Sequence, residues 1–197
     1  MNMKSITKVI VIDDEIKENH PLIIKLRQHF ETVVPYSIAA KAISDIKQNL
    51  GEKTILILDL KLSGGETGYT ALKDLRELSY QIPVIIWTAL DERNTESFQL
   101  INLKSYAIRD KDTSVAEIVR IVQQADADIE YGLSNALEKW ILAQPGDPNE
   151  PYLISLDGQS FSLNEMIEEV RKDTTQGKEF TQNLVNLTVE LMTKKDE

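Results

Sequence analysis

The sequence predicts an α/β fold, a doubly wound five-stranded parallel sheet, followed by a small α+β, mostly helical C-terminal module. Three observations predict it. Apolar runs recur at Val9-Ile10-Val11-Ile12, Ile55-Leu56-Ile57-Leu58 and Val84-Ile85-Ile86-Trp87. Each is apolar on both faces, as strands covered from both sides must be. Segments of helical spacing separate them, so that β and α alternate five times over about 125 residues, which implies parallel strands joined by right-handed crossovers. Past Gln124 the pattern changes, and three prolines within 145–151 mark a linker.

In chain order, Val9–Ile12 is the first strand. Pro21 suits the first turn of a helix carrying Leu22, Ile23, Leu26 and Phe30. A weaker strand follows at Thr32-Val33-Val34 and Tyr36, interrupted by Pro35, and Ser37 is placed to cap a helix with Ile38, Ala42, Ile46 and Leu50. After the strand Ile55–Leu58, the segment Tyr69–Leu78 brings Leu72, Leu75 and Leu78 to one face. The strand Val84–Trp87 leads to a helix from about Thr95 to Leu103, then to a short strand at Tyr106-Ala107-Ile108. A longer helix starts near Ser114 with Val115, Ile118, Val119 and Val122, and its spacing continues through Ile129, Leu133, Leu137 and Ile141. Beyond the linker, Tyr152–Leu156 meets the turn dipeptide Asp157-Gly158, and Ser162 with Glu165 has the spacing of a capping box. The helix behind it carries Met166, Ile167 and Val170. A turn at Thr174–Gly177 precedes a last helix with Phe180, Leu184, Leu187 and Leu191. The expected domains are 1–127, an extended helix and linker over 128–151, and the module 152–197.

Composition narrows the function. The 197 residues carry a net charge of −10, which disfavours a nucleic-acid partner, since that needs clustered Lys and Arg. Without cysteine, disulfides, thiolate metal sites and a Cys nucleophile are excluded. The apolar stretch near the N-terminus is too short for a signal core or a membrane span. The expected location is the cytoplasm, with no membrane partner.

The ends of the strands carry the chemistry. The first ends at Asp13-Asp14-Glu15, the third at Asp59, the fourth at Thr88-Ala89, and Lys111 follows the fifth. Parallel strands bring these ends to one edge, where such sheets bind ligands. Converging carboxylates repel one another and call for a cation, and an oxygen-only set suits Mg²⁺. A carboxylate beside a metal and a lysine is a phosphoryl acceptor by chemistry, with Mg²⁺ and Lys111 neutralising charge and Thr88 donating to a phosphoryl oxygen.

Four pieces, VIVIDDE, LILDLKL, VIIWTA and RDKD, stand in this order. With them the chain resembles the receiver domain of two-component response regulators over about residues 5–127, which implies the flavodoxin-like receiver fold. The resemblance implies Asp59 as phosphoacceptor, Asp13 and Asp14 as the acidic metal pair, Thr88 as the switch hydroxyl, Lys111 as the lysine, and the backbone carbonyl of Lys61 as a further Mg²⁺ ligand. It implies a histidine kinase or phosphotransfer protein as donor and no enzyme activity beyond the protein's own aspartyl phosphorylation and dephosphorylation. Some positions depart from the family. Ser63 and Asp112 stand where it usually has proline, the loop Gly64-Gly65-Glu66-Thr67-Gly68 is one residue longer, and Ile108 takes the place of its aromatic switch. Tyr106, two residues earlier, would share the face of Ile108 by strand alternation.

Two other readings are open to the sequence. A pseudo-receiver would act as a scaffold or adaptor whatever its phosphorylation state. A phosphatase of the aspartyl-nucleophile class usually has a second acid two residues after the first, and that position is Lys61. Gly64–Gly68 lacks the Gly-Lys-Ser/Thr ending of a phosphate loop. His20 and His29 read as surface histidines, Trp87 reads as packing against a helix, and Trp140 reads as cover for apolar surface. Residues 145–197 hold five basic and eleven acidic residues, a net of −6, and lack the basic helix of a DNA reader. The module is expected to serve protein contact with an unknown downstream protein, homodimerisation or docking to a neighbour.

Overall fold

The computed structural model describes residues 4–63, 67–89, 103–131, 141, 143, 146–154 and 158–193, and their side chains except 130, 131, 184 and 187–193. The helix expected from about Thr95, the loop residues Gly64, Gly65 and Glu66, and Leu133, Leu137 and Trp140 lie outside the described residues. So do the turn residue Asp157 and the side chains of Leu184, Leu187 and Leu191. The chain divides into two compact units, Met1–Glu130 and Tyr131–Glu197. No described helix is long and apolar enough to cross a membrane.

The first unit is built on β1 (Ser5–Ile12), β2 (Phe30–Tyr36), β3 (Thr54–Leu58), β4 (Val84–Thr88) and β5 (Ala107–Asp110). They form one parallel sheet in the order β2-β1-β3-β4-β5. The helices are α1 (Pro21–Leu26), α2 (Ala39–Gln48), α3 (Gly68–Leu78) and α4 (Val115–Tyr131). Alternation along the strands sorts the core into two layers. Val9, Val11, Ile55, Ile57, Ile85 and Trp87 pack with α1 and α4, and Ile10, Ile12, Leu56, Leu58, Val84 and Ile86 pack with α2 and α3. The sheet is therefore wound on both faces, as the two-sided apolar runs require. The strand order reverses between β1 and β3, the place where an open α/β sheet leaves a crevice at its carboxyl edge.

Two local readings are corrected. The first helix stops at Leu26, and Phe30 opens β2 instead of lying on the helix. Successive turn bonds from Arg27, Gln28 and His29 to Ile23, Lys25 and Leu26 wind the chain down, after which Phe30 buries its ring in the same layer as α1. Pro35 is accommodated because β2 is an edge strand. Ser37 caps nothing. The N-cap of α2 is Ile38, without a side-chain cap bond, and Ile38 is exposed.

A cation ties the far end of this unit together. The Arg76 side chain of α3 is buried, and its guanidinium donates to four carbonyls: Leu103 at 2.7 Å and Ser79, Ile82 and Lys104 at 3.0 Å. It joins the end of α3 to the chain entering β4 and to the turn leading into β5. Burial pulls its pKa down to about 10, far enough above neutrality for it to stay charged.

The second unit contains the antiparallel pair β6 (Pro151–Ile154) and β7 (Ser160–Ser162), then α5 (Leu163–Arg171) and α6 (Thr175–Thr193). Ile141, Phe161, Leu163, Met166, Ile167, Val170 and Phe180 form its described core, with the Phe161 and Phe180 rings edge to face at 5.2 Å. The capping box forms as the sequence predicts: Ser162 accepts from Glu165 N–H at 3.2 Å, and Glu165 accepts from Ser162 N–H at 2.7 Å. The turn before α6 lies earlier than expected, around Asp173 (φ 52°), and Gly177 is inside the helix.

Gly177 is there because α6 passes close to α5. A Cβ at this position would stand 2.2 Å from the Glu169 carbonyl oxygen. Helix propensity alone favours alanine over glycine by about 1 kcal/mol, whereas the clash predicts the opposite sign. Gly177→Ala is expected to destabilise the second unit by about 2 kcal/mol, seen as faster hydrogen exchange in α5. A stabilised unit would contradict this packing.

Candidate functional site

The register of the sheet assembles the site. Ile12 pairs with Leu58 and Leu58 with Ile86, so the residues that follow leave the sheet side by side. Asp59 N–H donates to the Ile12 carbonyl at 2.9 Å, and Lys111 N–H to the Thr88 carbonyl at 3.1 Å. Asp13, Asp59 and Thr88 are all buried to less than 10% exposure. Asp59 thus stands one residue past the end of β3, with a partner for each of its carboxylate oxygens.

Those partners are specific. One Asp59 oxygen, Oδ1, accepts from Thr88 Oγ1 at 2.7 Å and from Lys61 N–H at 2.9 Å. The other, Oδ2, lies 3.0 Å from Lys111 Nζ. Lys111 also pairs with Asp13 Oδ2, so its ammonium bridges the two acids. Asp13 Oδ1 accepts from the N–H groups of Glu15 and Ile16 at 2.9 and 3.2 Å. Asp14 stands nearer solvent, and its Oδ2 accepts from Ser63 N–H at 3.3 Å. Burial by itself would lower the pKa of Lys111, but hydrogen bonds and charge from Asp13 and Asp59 outweigh it and raise the pKa. Hydrogen bonding from Ser63 holds Asp14 below the usual carboxylate range. An open cleft of about 550 Å³ is lined by Asp14, Glu15, Asp59, Lys61, Leu62, Ser63, Ala89 and Lys111.

The residues singled out in the sequence thus meet at one place: Asp13, Asp14, Asp59, Lys61, Thr88 and Lys111. The three aspartates and the lysine sum to −2, which matches a divalent cation. Among the described residues no three carboxylate or imidazole groups already stand as a closed metal cage. Mg²⁺ does not require one, since it is held by one or two carboxylates and keeps several waters. The donor set therefore fits this ion.

No family model matches the chain, and no curated protein matches it. Solved structures do. A CheY-like response regulator receiver domain protein from Methanospirillum hungatei JF-1 aligns with a TM-score of 0.54 and 17% identity, over 64% of this chain and 98% of that one. The signal receiver domain of a modulated diguanylate cyclase from Desulfovibrio desulfuricans G20 gives 0.51 and 18%, over 62% and 95%. The BeF3-activated N-terminal receiver domain of Klebsiella pneumoniae RstA gives 0.51 and 21%, over 60% and 97%. The first unit has the receiver fold.

Within this receiver unit the departures from the family's sequence pattern have physical uses. Both positions where the family usually has proline keep a backbone N–H, and both are used. Ser63 donates to Asp14, and Asp112 donates to Asp110 Oδ1 at 2.9 Å. The second bond, with Thr113 N–H on the Asp110 carbonyl at 2.9 Å, folds a turn around the backbone of Lys111. Proline could make neither contact. Ile108 packs with the α2 and α3 layer. Tyr106 does not share its face. It precedes β5, so strand alternation does not extend to it, and its hydroxyl donates to Asp128 Oδ2 on α4 at 2.5 Å. Burial first, then that bond, pushes its pKa up to about 12.

Three contributors escaped sequence reasoning. Asp110 looks like a strand residue, yet its side chain shapes the lysine's turn. Trp87 reads in the sequence as packing against a helix, and it does lie in the layer of α1 and α4, but its ring also lies against Lys111. Gly68 was read as part of a flexible loop, yet its Cα passes directly under the Asp59 backbone. The recoverable signal was its place at the first position of α3, behind the Thr67 N-cap, which accepts from Thr70 N–H at 3.2 Å.

Proposed function

We propose that the receiver unit accepts a phosphoryl group on Asp59 from a histidine kinase or phosphotransfer protein and passes the signal on by protein contact. The observation that carries this reading is the bridge of Lys111 between Asp13 and Asp59, with Thr88 hydrogen-bonded to the same Asp59. A carboxylate oxygen of Asp59 attacks phosphorus, the phosphorus–nitrogen bond of the donor phosphohistidine breaks, and the imidazole nitrogen leaves with its electron pair and takes up a proton. An acyl phosphate remains on Asp59. Water later attacks phosphorus and returns the free carboxylate and inorganic phosphate. Asp13, Asp14, Asp59 and the Lys61 carbonyl would hold Mg²⁺, which when bound supplies charge neutralisation for the phosphoryl oxygens. The residues do the rest. Lys61 N–H and Thr88 fix the plane of the Asp59 carboxylate before reaction. Thr88 and Lys111 then turn from that carboxylate to the phosphoryl oxygens, which gain charge as the carboxylate loses it.

That change of partners shifts the loops around the cleft between two arrangements. The acidic chain points to a protein as the receiver of the signal, and the second unit is proposed as a contact or homodimerisation module. The cytoplasm is the proposed location.

The test is incubation of the full chain with a small acyl phosphate and Mg²⁺, followed by intact-mass measurement. The expected result is one added phosphoryl group, lost when Mg²⁺ is withheld and absent in Asp59→Asn. Equal labelling of Asp59→Asn would overturn the reading.

A phosphorylation-independent scaffold is the second reading. The observation that favours it is Ile108, which packs with the α2 and α3 layer in place of the family's aromatic switch. A chain that binds neither Mg²⁺ nor beryllofluoride in titration calorimetry would establish it.

A further inference from the structure

We infer that Trp87 is a positioning residue for Lys111, its indole face holding the ammonium from a third side beside Asp13 and Asp59. Lys111 Nζ lies 5.0 Å from the centroid of the Trp87 ring, inside the range in which a ring quadrupole attracts a cation. Trp87 is buried, but among the described residues its Nε1 has no hydrogen-bond partner. An orphaned buried N–H is unfavourable, and phenylalanine would fill an apolar slot without it. An indole kept at this cost points to its π-face, which attracts cations more strongly than that of any other side chain. The lysine needs such a support. It sits on a flexible four-carbon stem between two acids that compete for it, and it remains partly exposed, at 26%.

The position of the ring also gives the contact a direction. Trp87 belongs to the layer shared with α1 and α4, whereas Ile108 belongs to the opposite layer. A change in the charge carried by Asp59 moves the ammonium, and the ammonium is felt first by a side chain of the α1 and α4 layer. What the lysine is for rests on the phosphoacceptor reading. That the ring holds it does not.

The test uses the full chain carrying Trp140→Phe, so that residue 87 is its only tryptophan. Fluorinated tryptophans with one to four ring fluorines are incorporated at 87. Each fluorine withdraws density from the π-face with little change of shape, which a purely space-filling role would not register. Urea unfolding of the first unit is followed by fluorescence, with Lys111 and in Lys111→Met. With Lys111 the unfolding constant is expected to rise stepwise, about three- to tenfold across the series. In Lys111→Met the series is expected to be flat. A flat series with Lys111 present, or the same slope in both chains, overturns the inference. A stepwise series in a chain whose Asp59 takes no phosphoryl group upholds it and removes the proposed function. A flat series in a chain that is phosphorylated does the reverse.

Discussion

Replacing Gly68 with alanine is expected to destabilise the receiver unit by about 3 kcal/mol and to slow the proposed phosphorylation of Asp59 about 100-fold. The reason is contact between backbones. A Cβ on Gly68 would stand 2.0 Å from the Asp59 carbonyl oxygen and 2.7 Å from the Leu60 Cα. Neither atom belongs to a flexible side chain, so the main chain itself must move. Gly68 N–H also donates to the Leu60 carbonyl at 3.1 Å, which pins the start of α3 to the residues just past β3. Separating them shifts Asp59 away from Thr88 and Lys111. Urea melts give the stability change, and phosphorylation from a small donor gives the rate. A variant of unchanged stability and rate would show that the close approach does not exist in solution.

Arg76→Leu is expected to cost about 4 kcal/mol, although Arg76 is not part of the acidic site. The guanidinium is buried, has no carboxylate partner among the described residues and satisfies four carbonyls at once. Leucine fills much of the space but takes the donor from all four oxygens, two of them, those of Ser79 and Ile82, in buried bonds. Lysine cannot restore them, since its single ammonium lacks the planar fork, and Arg76→Lys is expected to recover less than half the loss. The damage has a predicted location. The Leu103 and Lys104 carbonyls lead into β5, and Tyr106 N–H donates to the Val84 carbonyl at 2.8 Å. Hydrogen exchange at Tyr106 is therefore expected to accelerate before the rest of the sheet opens. Uniform acceleration, or a loss below about 1 kcal/mol, would contradict the role given to Arg76.

How much of this was legible in the sequence depends on distance along the chain. The central strands were legible because a run such as Ile55–Leu58 has no polar face and thus must be covered on both sides. The site was legible because each of its acids, its threonine and its lysine stands within two residues of a strand end, and a parallel sheet turns that local fact into convergence. Helix ends were less so. Phe30 kept the spacing of α1 while belonging to β2, since helix and strand bury into the same layer and periodicity cannot tell them apart. Ser37 had the chemistry of a cap, but the helix began two residues later. Gly68, Trp87 and Arg76 were illegible for a different reason. Their importance lies in a meeting with Asp59, Lys111 and the Leu103–Lys104 carbonyls, and no window of sequence contains both partners. Ser63 and Asp112 carried a signal of the opposite kind. In the sequence they are only departures from proline, whereas the structure uses the N–H groups that proline would lack.

The central claim is that Asp59 itself becomes an acyl phosphate, and reductive trapping measures it most directly. Borohydride cleaves an acyl phosphate and leaves homoserine where the aspartate stood. After treatment with a small phosphodonor in Mg²⁺, then borohydride and peptide mass sequencing, homoserine is predicted at position 59 and at no other aspartate. Homoserine at Asp13 or Asp14, or an unaltered Asp59 in a chain that has taken up phosphoryl groups, would contradict it.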